Sequence, residues 1–360
     1  MPLALFDTFP ELAERLPYRP LGEFPTAIER ITAPLPGGGE LWVKREDQSG
    51  LAYGGNKVRK LELLLADPPQ GPKTRRLVTL GAYGSNQVLA AAIYGRPLGF
   101  SIEAVTFPQP ITERVRRTVQ AQLGAGAQLV PCRTQAGLAI EWPLALLRAH
   151  RQRPPAVTMP PGASSPLGNL GWWSGGLEIA AQVRAGLAPR FDAVYVALGS
   201  GGTAAGLLLG LGSAARELVA VRAAPWPAAS ETVVRWHAGR CRALLGQLLG
   251  RSPPFVLGPK LRIEGRFIGP GYGHATPLAQ QAIEQGARLG MGLDPTYTGK
   301  TFAALLGDAQ AGRLAGKRVL FINTHNSRDI GSFVSAGSLD GLPGWLAARL
   351  RAGGSEAVAG

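Results

Sequence analysis

The sequence predicts an α/β fold with two domains, each built on a parallel sheet. Short apolar runs typical of buried strands alternate with helical segments, and the connections between them are short. The length of 360 residues exceeds what one compact core usually holds. Glycine-rich or polar loops follow several strands, at the edge where parallel sheets bind their ligands.

Each element is indicated by a local pattern. After an irregular arm over residues 1–40, LWVKRED opens with a short strand, and GGN precedes a helix with Asn56 as its expected N-cap. RLVTL and SIEAVTF are strands on either side of the helix QVLAAAIYG, and the helix ERVRRTVQAQLG precedes another strand. Beyond PPGASSPLGNLG we expect a helix near 175–186, the buried strand FDAVYVAL, a glycine turn that opens a helix, and a last strand, KRVLFINTH.

Composition excludes several classes of protein. The formal net charge is +14, but the 38 lysines and arginines are scattered, which indicates a compositional bias and no nucleic-acid interface. No apolar run is long enough for a membrane span, and the first residues do not resemble a signal peptide. The two cysteines belong to no metal-binding cluster. We therefore expect a cytoplasmic protein without a metal site.

The stretch ALGSGGTAAG is the first that indicates chemistry. Glycines between a buried strand and a helix let backbone N–H groups approach an anion, so the loop predicts a phosphate site. The residues concerned are Gly199, Ser200, Gly201, Gly202 and Thr203. No GK[ST] follows, and Ala204 takes the third glycine of GxGxxG, so a nucleotide-dependent dehydrogenase is poorly supported. A tight turn without a ligand is the structural alternative.

Two further stretches are ambiguous when taken alone. In GAYGSNQ, Ser85 and Asn86 either cap a helix or form a cradle for a carboxylate. In GGNK, Lys57 lies at a helix start, where the helix dipole disfavours a cation. Lys57 is either an exposed lysine or a neutral nucleophile able to form a Schiff base. We expect the preceding glycines to leave room beside it for a flat ring.

Together these stretches resemble the pyridoxal-phosphate enzymes of the tryptophan synthase β-like fold (fold type II), in the group of D-cysteine desulfhydrase and 1-aminocyclopropane-1-carboxylate (ACC) deaminase. The similar segments are KREDQSGLAYGGNKVRKLELLLAD, GSNQ, PPGASSPLGNLGWW, GSGGTAAG, GPGYGHATP and DPTYTGK. The resemblance implies two parallel-sheet α/β domains, a large one over 1–53 and 168–360 and a small one over 54–167. It also implies pyridoxal 5'-phosphate as cofactor, a small amino-acid substrate and a homodimer.

The resemblance also implies roles for individual residues. Lys57 would bind the cofactor as a Schiff base and then act as the base at the substrate Cα. Ser85 would contact the substrate carboxylate, and Asn86 would lie against the cofactor ring hydroxyl. The loop from Gly199 to Thr203 would hold the phosphate. The remaining expected positions are Tyr272 and Tyr297 beside the substrate and Thr324 at the pyridine nitrogen, where a hydroxyl suits elimination chemistry.

Two reactions remain open within the resemblance. ACC deaminases have an acidic residue and a leucine where this chain has Thr298 and Thr324, which favours α,β-elimination of the desulfhydrase type, releasing ammonia and a keto acid. Gln87 is instead closer to the deaminase pattern. Tyr83 and His325 replace smaller family residues near the expected substrate, so we expect both, with Gln87, to contact it. A family member with altered or lost turnover is the alternative from another class.

Overall fold

The computed structural model describes residues 3–67, 75–151, 156–254 and 257–352. It is an α/β structure with two mostly parallel sheets, which confirms the predicted fold class. The chain forms two compact units, described separately below. Unit 1 comprises Met1–Ala66 and Ser164–Arg328, and unit 2 comprises Asp67–Ala163 and Asp329–Gly360.

The described residues contain ten strands and twelve α-helices. The strands are β1 Ile28–Ile31, β2 Glu40–Lys44, β3 Arg76–Ala82, β4 Ser101–Phe107, β5 Ala127–Pro131, β6 Val157–Met159, β7 Phe191–Leu198, β8 Ala215–Arg222, β9 Lys260–Glu264 and β10 Arg318–Ile322. The helices are α1 Ala4–Thr8, α2 Val58–Leu64, α3 Asn86–Gly95, α4 Glu113–Gly124, α5 Gln135–Arg151, α6 Pro166–Arg184, α7 Gly202–Gly210, α8 Glu231–Leu249, α9 Pro277–Arg288, α10 Thr298–Gln310, α11 Gly331–Ala336 and α12 Gly344–Ala352.

Unit 1 is built on a six-stranded sheet in the order β1-β2-β10-β7-β8-β9. All neighbouring strands are parallel except the β1–β2 pair at one edge. Strand β7 lies inside the sheet, and alternate side chains enter two separate cores: Val194 packs in one with Trp172, and Tyr195 packs in the other with Phe302. Both faces are covered, so FDAVYVAL is apolar almost throughout.

Unit 2 is built on a four-stranded parallel sheet in the order β5-β4-β3-β6. Helices α4 and α11 pack closely in this unit because glycines remove side chains at the contact. A Cβ on Gly124 would lie 2.0 Å from the carbonyl oxygen of Phe333, and one on Gly337 would lie 1.9 Å from that of Gln120. This packing places the segment after Asp329 in unit 2.

The boundaries of the two units differ from the predicted domain boundaries. The prediction assigned 329–360 to the large domain and 54–66 to the small one, whereas the contacts place them in unit 2 and unit 1, respectively. Residues 54–66 belong to unit 1 because α2 packs against α6, with Gly171 close to the backbone of Arg59. The prediction included the return of the chain to the large domain but not its later return to unit 2 at Asp329, which depends on the packing of α11 against α4.

A buried cluster of charges joins β2, α2 and α6 in unit 1. Lys44 Nζ lies 2.5 Å from Glu178 Oε1, and Arg59 Nη2 contacts Glu46 at 2.7 Å and Glu178 at 2.8 Å. Burial raises the pKa of Glu178, but Arg59 and Lys44 outweigh it and hold that pKa at about 2. The cluster therefore contains an ionised carboxylate between two buried cations, which fixes the strand carrying Lys44 against α6.

Two local predictions were wrong. The helix expected near 175–186 begins at Pro166, where the Ser165 hydroxyl accepts a hydrogen bond from Gly168 N at 3.0 Å. Because α6 is buried on most sides, its first half has no amphipathic pattern to reveal it. Asn56 does not cap α2: Lys57 occupies the N-cap position, without a side-chain capping bond.

Three findings bear on the classes of partner considered above. No helix among the described residues is long and apolar enough to cross a membrane. The same part of the chain contains no group of three or more His, Cys, Asp or Glu side chains able to hold a metal ion. Cys132 and Cys241 are both buried free thiols.

Candidate active site

The candidate site lies in unit 1, where β7 and β10 end. Gly199, Ser200 and Gly201 follow β7, and Asn323, Thr324 and His325 follow β10. The two strands are neighbours and parallel, so these loops leave the same edge of the sheet. This is the edge at which open α/β sheets bind ligands.

The loop after β7 forms a cradle with no room for a side chain. Gly201 has a φ of +87° and leads directly into α7, whose first N–H groups lie at the loop. A Cβ on Gly202 would lie 2.1 Å from Asn169 Oδ1, 2.4 Å from Ser164 Oγ and 2.7 Å from Lys60 Nζ. Three polar groups therefore converge on the start of a helix, which is a suitable environment for an anion.

The polar walls of this cradle were not anticipated from the sequence. Lys60 Nζ donates to Ser164 Oγ at 3.0 Å, and the Ser164 and Ser200 hydroxyls are 2.7 Å apart. Burial and the charge of Lys57 lower the pKa of Lys60 well below its ordinary value. A phosphate dianion at the loop would favour the charged form of this lysine.

Asn169 adds a buried polar atom that has no hydrogen-bond partner. Its Oδ1 is buried without a partner, while its Nδ2 lies 3.4 Å from Nδ1 of His237. Amide oxygen and nitrogen positions are assigned from their neighbours, so the exchanged orientation would present an N–H donor to the cradle. Burial and Lys60 lower the pKa of His237 to about 4, which keeps its ring neutral and able to donate or accept. These groups fit a phosphate.

Lys57 is joined to this loop through one side chain. Its Nζ donates to Asn56 Oδ1 at 2.7 Å, and Asn56 Nδ2 donates to Thr203 Oγ1 at 3.1 Å. The Asn56 carbonyl accepts a hydrogen bond from Trp172 Nε1 at 2.9 Å, which holds the turn. Burial lowers the pKa of Lys57 to about 8, against the opposing charge of Asp294. A substantial fraction of this amine is neutral near neutral pH, as a nucleophile or base requires.

The glycines before Lys57 have a different role from the one expected. A Cβ on Gly54 would lie 2.0 Å from the carbonyl oxygen of Asp47, and one on Gly55 would lie 2.7 Å from that of Thr324. Gly55 also has a φ of +89°. The glycines therefore permit close backbone packing, whereas we had expected them to make space for a ring. Asn56 N donates to the Thr324 carbonyl at 3.2 Å, so this packing brings the two loops together.

Tyr272 and Tyr297 form a pair beside the phosphate loop. Tyr297 donates its hydroxyl to Tyr272 Oη at 3.0 Å, and the Tyr297 ring lies 3.1 Å from where a Cβ of Gly199 would be. Burial raises the pKa of Tyr272, and burial together with Tyr272 raises that of Tyr297 well above its ordinary value. Both side chains are therefore phenols at neutral pH and can carry a transferable proton.

Asp294 is a further site residue that the sequence analysis missed. Its carboxylate accepts hydrogen bonds from the backbone N–H groups of Thr296 and Tyr297 at 2.9 and 2.8 Å, and from the Thr298 hydroxyl at 2.9 Å. It lies 3.9 Å from His325 Nδ1. The segment DPTYTGK carried a usable signal, because an Asp shortly before a helix often binds the first free N–H groups.

The remaining predicted residues lie in unit 2. Ser85 caps α3 by accepting a hydrogen bond from Val88 N, and Asn86 is the first helical residue. Gln87 donates to Thr79 Oγ1 at 2.6 Å and to the Pro160 carbonyl at 3.0 Å, and accepts from Ala163 N at 3.0 Å. The side-chain amide of Gln87 therefore links α3 to β3 and to the segment that contains Pro160 and Ala163 in the same unit.

The side chain of Tyr83 also makes its contacts within unit 2. Its hydroxyl donates to the Cys132 carbonyl at 2.5 Å, and its buried ring lies 6.5 Å from that of Trp345. Burial raises its pKa. The predicted contacts of Tyr83 and Gln87 with substrate stay predictions, and both side chains have structural partners here.

Comparisons with known proteins agree on one family. A family model described as "Pyridoxal-phosphate dependent enzyme" matches residues 20–325. The chain is 33% identical over 324 residues to 1-aminocyclopropane-1-carboxylate deaminase of Burkholderia cenocepacia, covering 86% of this chain and 94% of that one. It is 32% identical over 323 residues to the enzyme of the same name from Burkholderia multivorans, with the same coverage. A solved structure described as an ACC deaminase homologue has a TM-score of 0.72 at 27% identity and covers 93% of this chain and 99% of that one.

Proposed function

Because the chain belongs to the pyridoxal-phosphate dependent enzymes, we propose that it is a lyase or deaminase in which Lys57 binds the cofactor. The substrate would be a small amino acid, and the products ammonia and a keto acid. The observation that carries this proposal is the chain of hydrogen bonds from Lys57 Nζ through Asn56 to Thr203. It places a readily deprotonated amine next to a loop suited to phosphate.

Different residues of unit 1 would bind different parts of the cofactor. Lys60, Ser164 and the first N–H groups of α7 would hold the phosphate, with Gly202 leaving the space. Thr324 would lie at the pyridine nitrogen, as expected from the resemblance. When bound, the cofactor supplies an electron sink for negative charge at the substrate Cα.

Side chains of the protein would carry out the proton transfers. The neutral Nζ of Lys57 would accept the proton from Cα, since burial keeps its pKa near 8. Tyr297 donates its proton to Tyr272 Oη, which leaves the hydroxyl hydrogen of Tyr272 for a leaving group. Both phenols are partly buried, and their raised pKa values would keep the protons on the hydroxyl groups until this step. The roles of Ser85 toward the substrate carboxylate and of Asn86 toward the ring hydroxyl stay predictions from the resemblance.

We propose α,β-elimination of the D-cysteine desulfhydrase type as the reaction. The Cα proton would pass to Lys57, the Cβ–S bond would break, and sulfide would leave with the proton of Tyr272. Hydrolysis of the remaining imine would give pyruvate and ammonia. Thr298 supports this choice, because its hydroxyl and N–H both contact the Asp294 carboxylate, at 2.9 and 3.2 Å. An acidic side chain at this position would face a like charge.

ACC deamination is the second candidate, and the names of the relatives favour it. A screen of D-cysteine, ACC, L-cysteate and D-serine distinguishes the two. Elimination predicts sulfide and pyruvate from D-cysteine, whereas ring opening of ACC would give ammonia and a four-carbon keto acid. Failure of all four substrates with a protein that binds the cofactor would instead support the family member without turnover.

The attachment of the cofactor is tested separately from the substrate. We expect the purified protein to be yellow, and Lys57→Ala to abolish the Schiff-base absorbance band. Lys317→Ala is the matched control, because Lys317 is exposed and lies away from the cradle. A Lys57→Ala protein that keeps the band would contradict the proposal. The homodimer also stays a prediction, which sedimentation of the purified protein can check.

A further inference from the structure

The side chains of His325 and Asp294 lie close together at the edge of the candidate site. Nδ1 of His325 lies 3.9 Å from Oδ2 of Asp294, and the two side chains are only 11% and 4% exposed. His325 follows Thr324, whose carbonyl accepts a hydrogen bond from Asn56 N, the residue before Lys57. The histidine therefore lies one residue from the backbone contact that positions the segment carrying Lys57.

Asp294 is fixed in place and acts on the reactive groups around it. Its carboxylate is bound at both oxygens by the turn that opens α10, so it cannot readily turn away. Its charge opposes the lowering of the Lys57 pKa by burial, and it adds to the raised pKa values of Tyr272 and Tyr297. It also acts on Lys300, whose ammonium donates to the carbonyls of Ile268 and Gly271.

The other charged groups near the His325 loop are held by neighbours of their own. Asp47 accepts a hydrogen bond from Ser327 at 2.6 Å and pairs with Arg45 at 2.9 Å. Arg328 donates to the carbonyls of Gly50 and Gln48. Asp294, in contrast, lies near the imidazole of His325, and its charge acts on the amine of Lys57.

We propose that His325 tunes the reactivity of Lys57 through Asp294. When the imidazole is protonated, its positive charge offsets the attraction of the Asp294 carboxylate for the protonated amine of Lys57. At higher pH the imidazole is neutral and Asp294 acts on Lys57 undiminished. His325 is therefore a positioning residue, acting by charge, that preserves neutral Lys57 as the pH falls. This inference rests on the proposed attachment of the cofactor to Lys57.

The first experiment tests the pair itself, without cofactor. The chain has four histidines, so ring-proton NMR of the apoenzyme can follow each one. A carboxylate about 4 Å from an imidazole favours the charged form of the ring. Asp294→Asn should therefore move the His325 titration midpoint to lower pH. An unmoved midpoint would overturn the proposal.

The second experiment tests the action on Lys57. The rate at which apoenzyme reconstitutes with pyridoxal phosphate is followed by absorbance at pH 6.5 and pH 9, and variants are compared at the same pH. We expect His325→Gln to be roughly three- to tenfold slower at pH 6.5, corresponding to a change of about half to one pKa unit, and unchanged at pH 9. In an Asp294→Asn background the same substitution should have little effect at either pH, because the carboxylate through which His325 acts is then absent.

The controls separate this inference from the proposed function. His150→Gln, at an exposed position of α5, should leave both rates unchanged. If wild-type protein forms no band, the attachment to Lys57 fails, while the NMR titration still reports on the pair. Equal slowing of His325→Gln at both pH values would show a packing role and overturn the inference, as would no slowing at pH 6.5.

Discussion

The phosphate cradle can be tested by filling it with a single carbon atom. In Gly202→Ala, the new Cβ would lie under 3.0 Å from Asn169, Ser164 and Lys60. The backbone of Gly202 is an ordinary helical start without a positive φ, so alanine is not excluded by conformation. The substitution therefore acts mainly on the space in which the phosphate would lie.

The expected effect follows from the hydrogen bonds that the methyl group displaces. A hydrogen bond to a charged group contributes about 1.5–3 kcal/mol, so losing one weakens binding roughly tenfold to hundredfold. At a cofactor concentration 100 times the wild-type Kd, binding stabilises the folded protein by about 2.7 kcal/mol. A hundredfold weaker Kd would leave about 0.4 kcal/mol of that stabilisation at the same concentration.

The assay compares urea unfolding of each protein with and without pyridoxal phosphate. Gly239→Ala is the matched control, because it lies on α8 and its new Cβ would meet nothing within 4 Å. We expect the control to keep the full stabilisation by the cofactor and to gain about 0.5–1 kcal/mol without it. A Gly202→Ala protein stabilised by the cofactor as strongly as wild type would refute the assignment of the cradle.

Three further predictions concern Lys57, Glu178 and Thr298. Because burial lowers the pKa of Lys57 from 10.5 to about 8, its neutral fraction near pH 7 is about 300-fold that of an ordinary lysine. The rate of reconstitution with pyridoxal phosphate should therefore rise with pH and level off above pH 8. A rate that continues to rise past pH 10 would contradict the lowered pKa. Glu178→Gln leaves Lys44 and Arg59 buried without their shared carboxylate, and it should destabilise the apoenzyme by about 3–5 kcal/mol in urea unfolding. Because the pKa of Glu178 falls from 4.5 to about 2 on folding, the stabilisation by this carboxylate is complete above pH 4.5 and is lost as the pH falls to 2. An unchanged unfolding midpoint in the variant would exclude this role. Thr298→Val removes two hydrogen bonds to Asp294 and should lower the free energy of unfolding by about 1–3 kcal/mol, whereas an equally stable variant would show that the turn is held by its backbone alone.

Much of the fold could be predicted because its strands are simple to recognise. FDAVYVAL is apolar along its length because both faces of β7 are covered, and the glycine turn directly after it marks the carboxyl edge of the sheet. The loops that carry Thr203 and Thr324 could be assigned to one edge because parallel strands bring their ends together, whereas Lys57 was assigned to the site by the family resemblance. The paired tyrosines were expected to flank a substrate, and the structure adds the bond between their hydroxyls.

The features of the site that could not be predicted depend on contacts between segments that are distant in sequence. Ser164 and Asn169 approach Lys60 because α6 packs on α2, and no local pattern reveals which polar side chains face that contact. Gly54 was interpreted as space for a ligand, but the crowding comes from the Asp47 backbone. Asn56 was interpreted as a helix cap, whereas its amide links Lys57 to Thr203.

The role of Lys57 can be tested directly by locating the attached cofactor chemically. Holoenzyme is reduced with borohydride, digested, and its peptides are mapped by mass spectrometry. We expect a phosphopyridoxyl group on Lys57, with Lys60 in the same segment unmodified. Modification of Lys60 in place of Lys57, or of neither, would contradict the arrangement of the site described here.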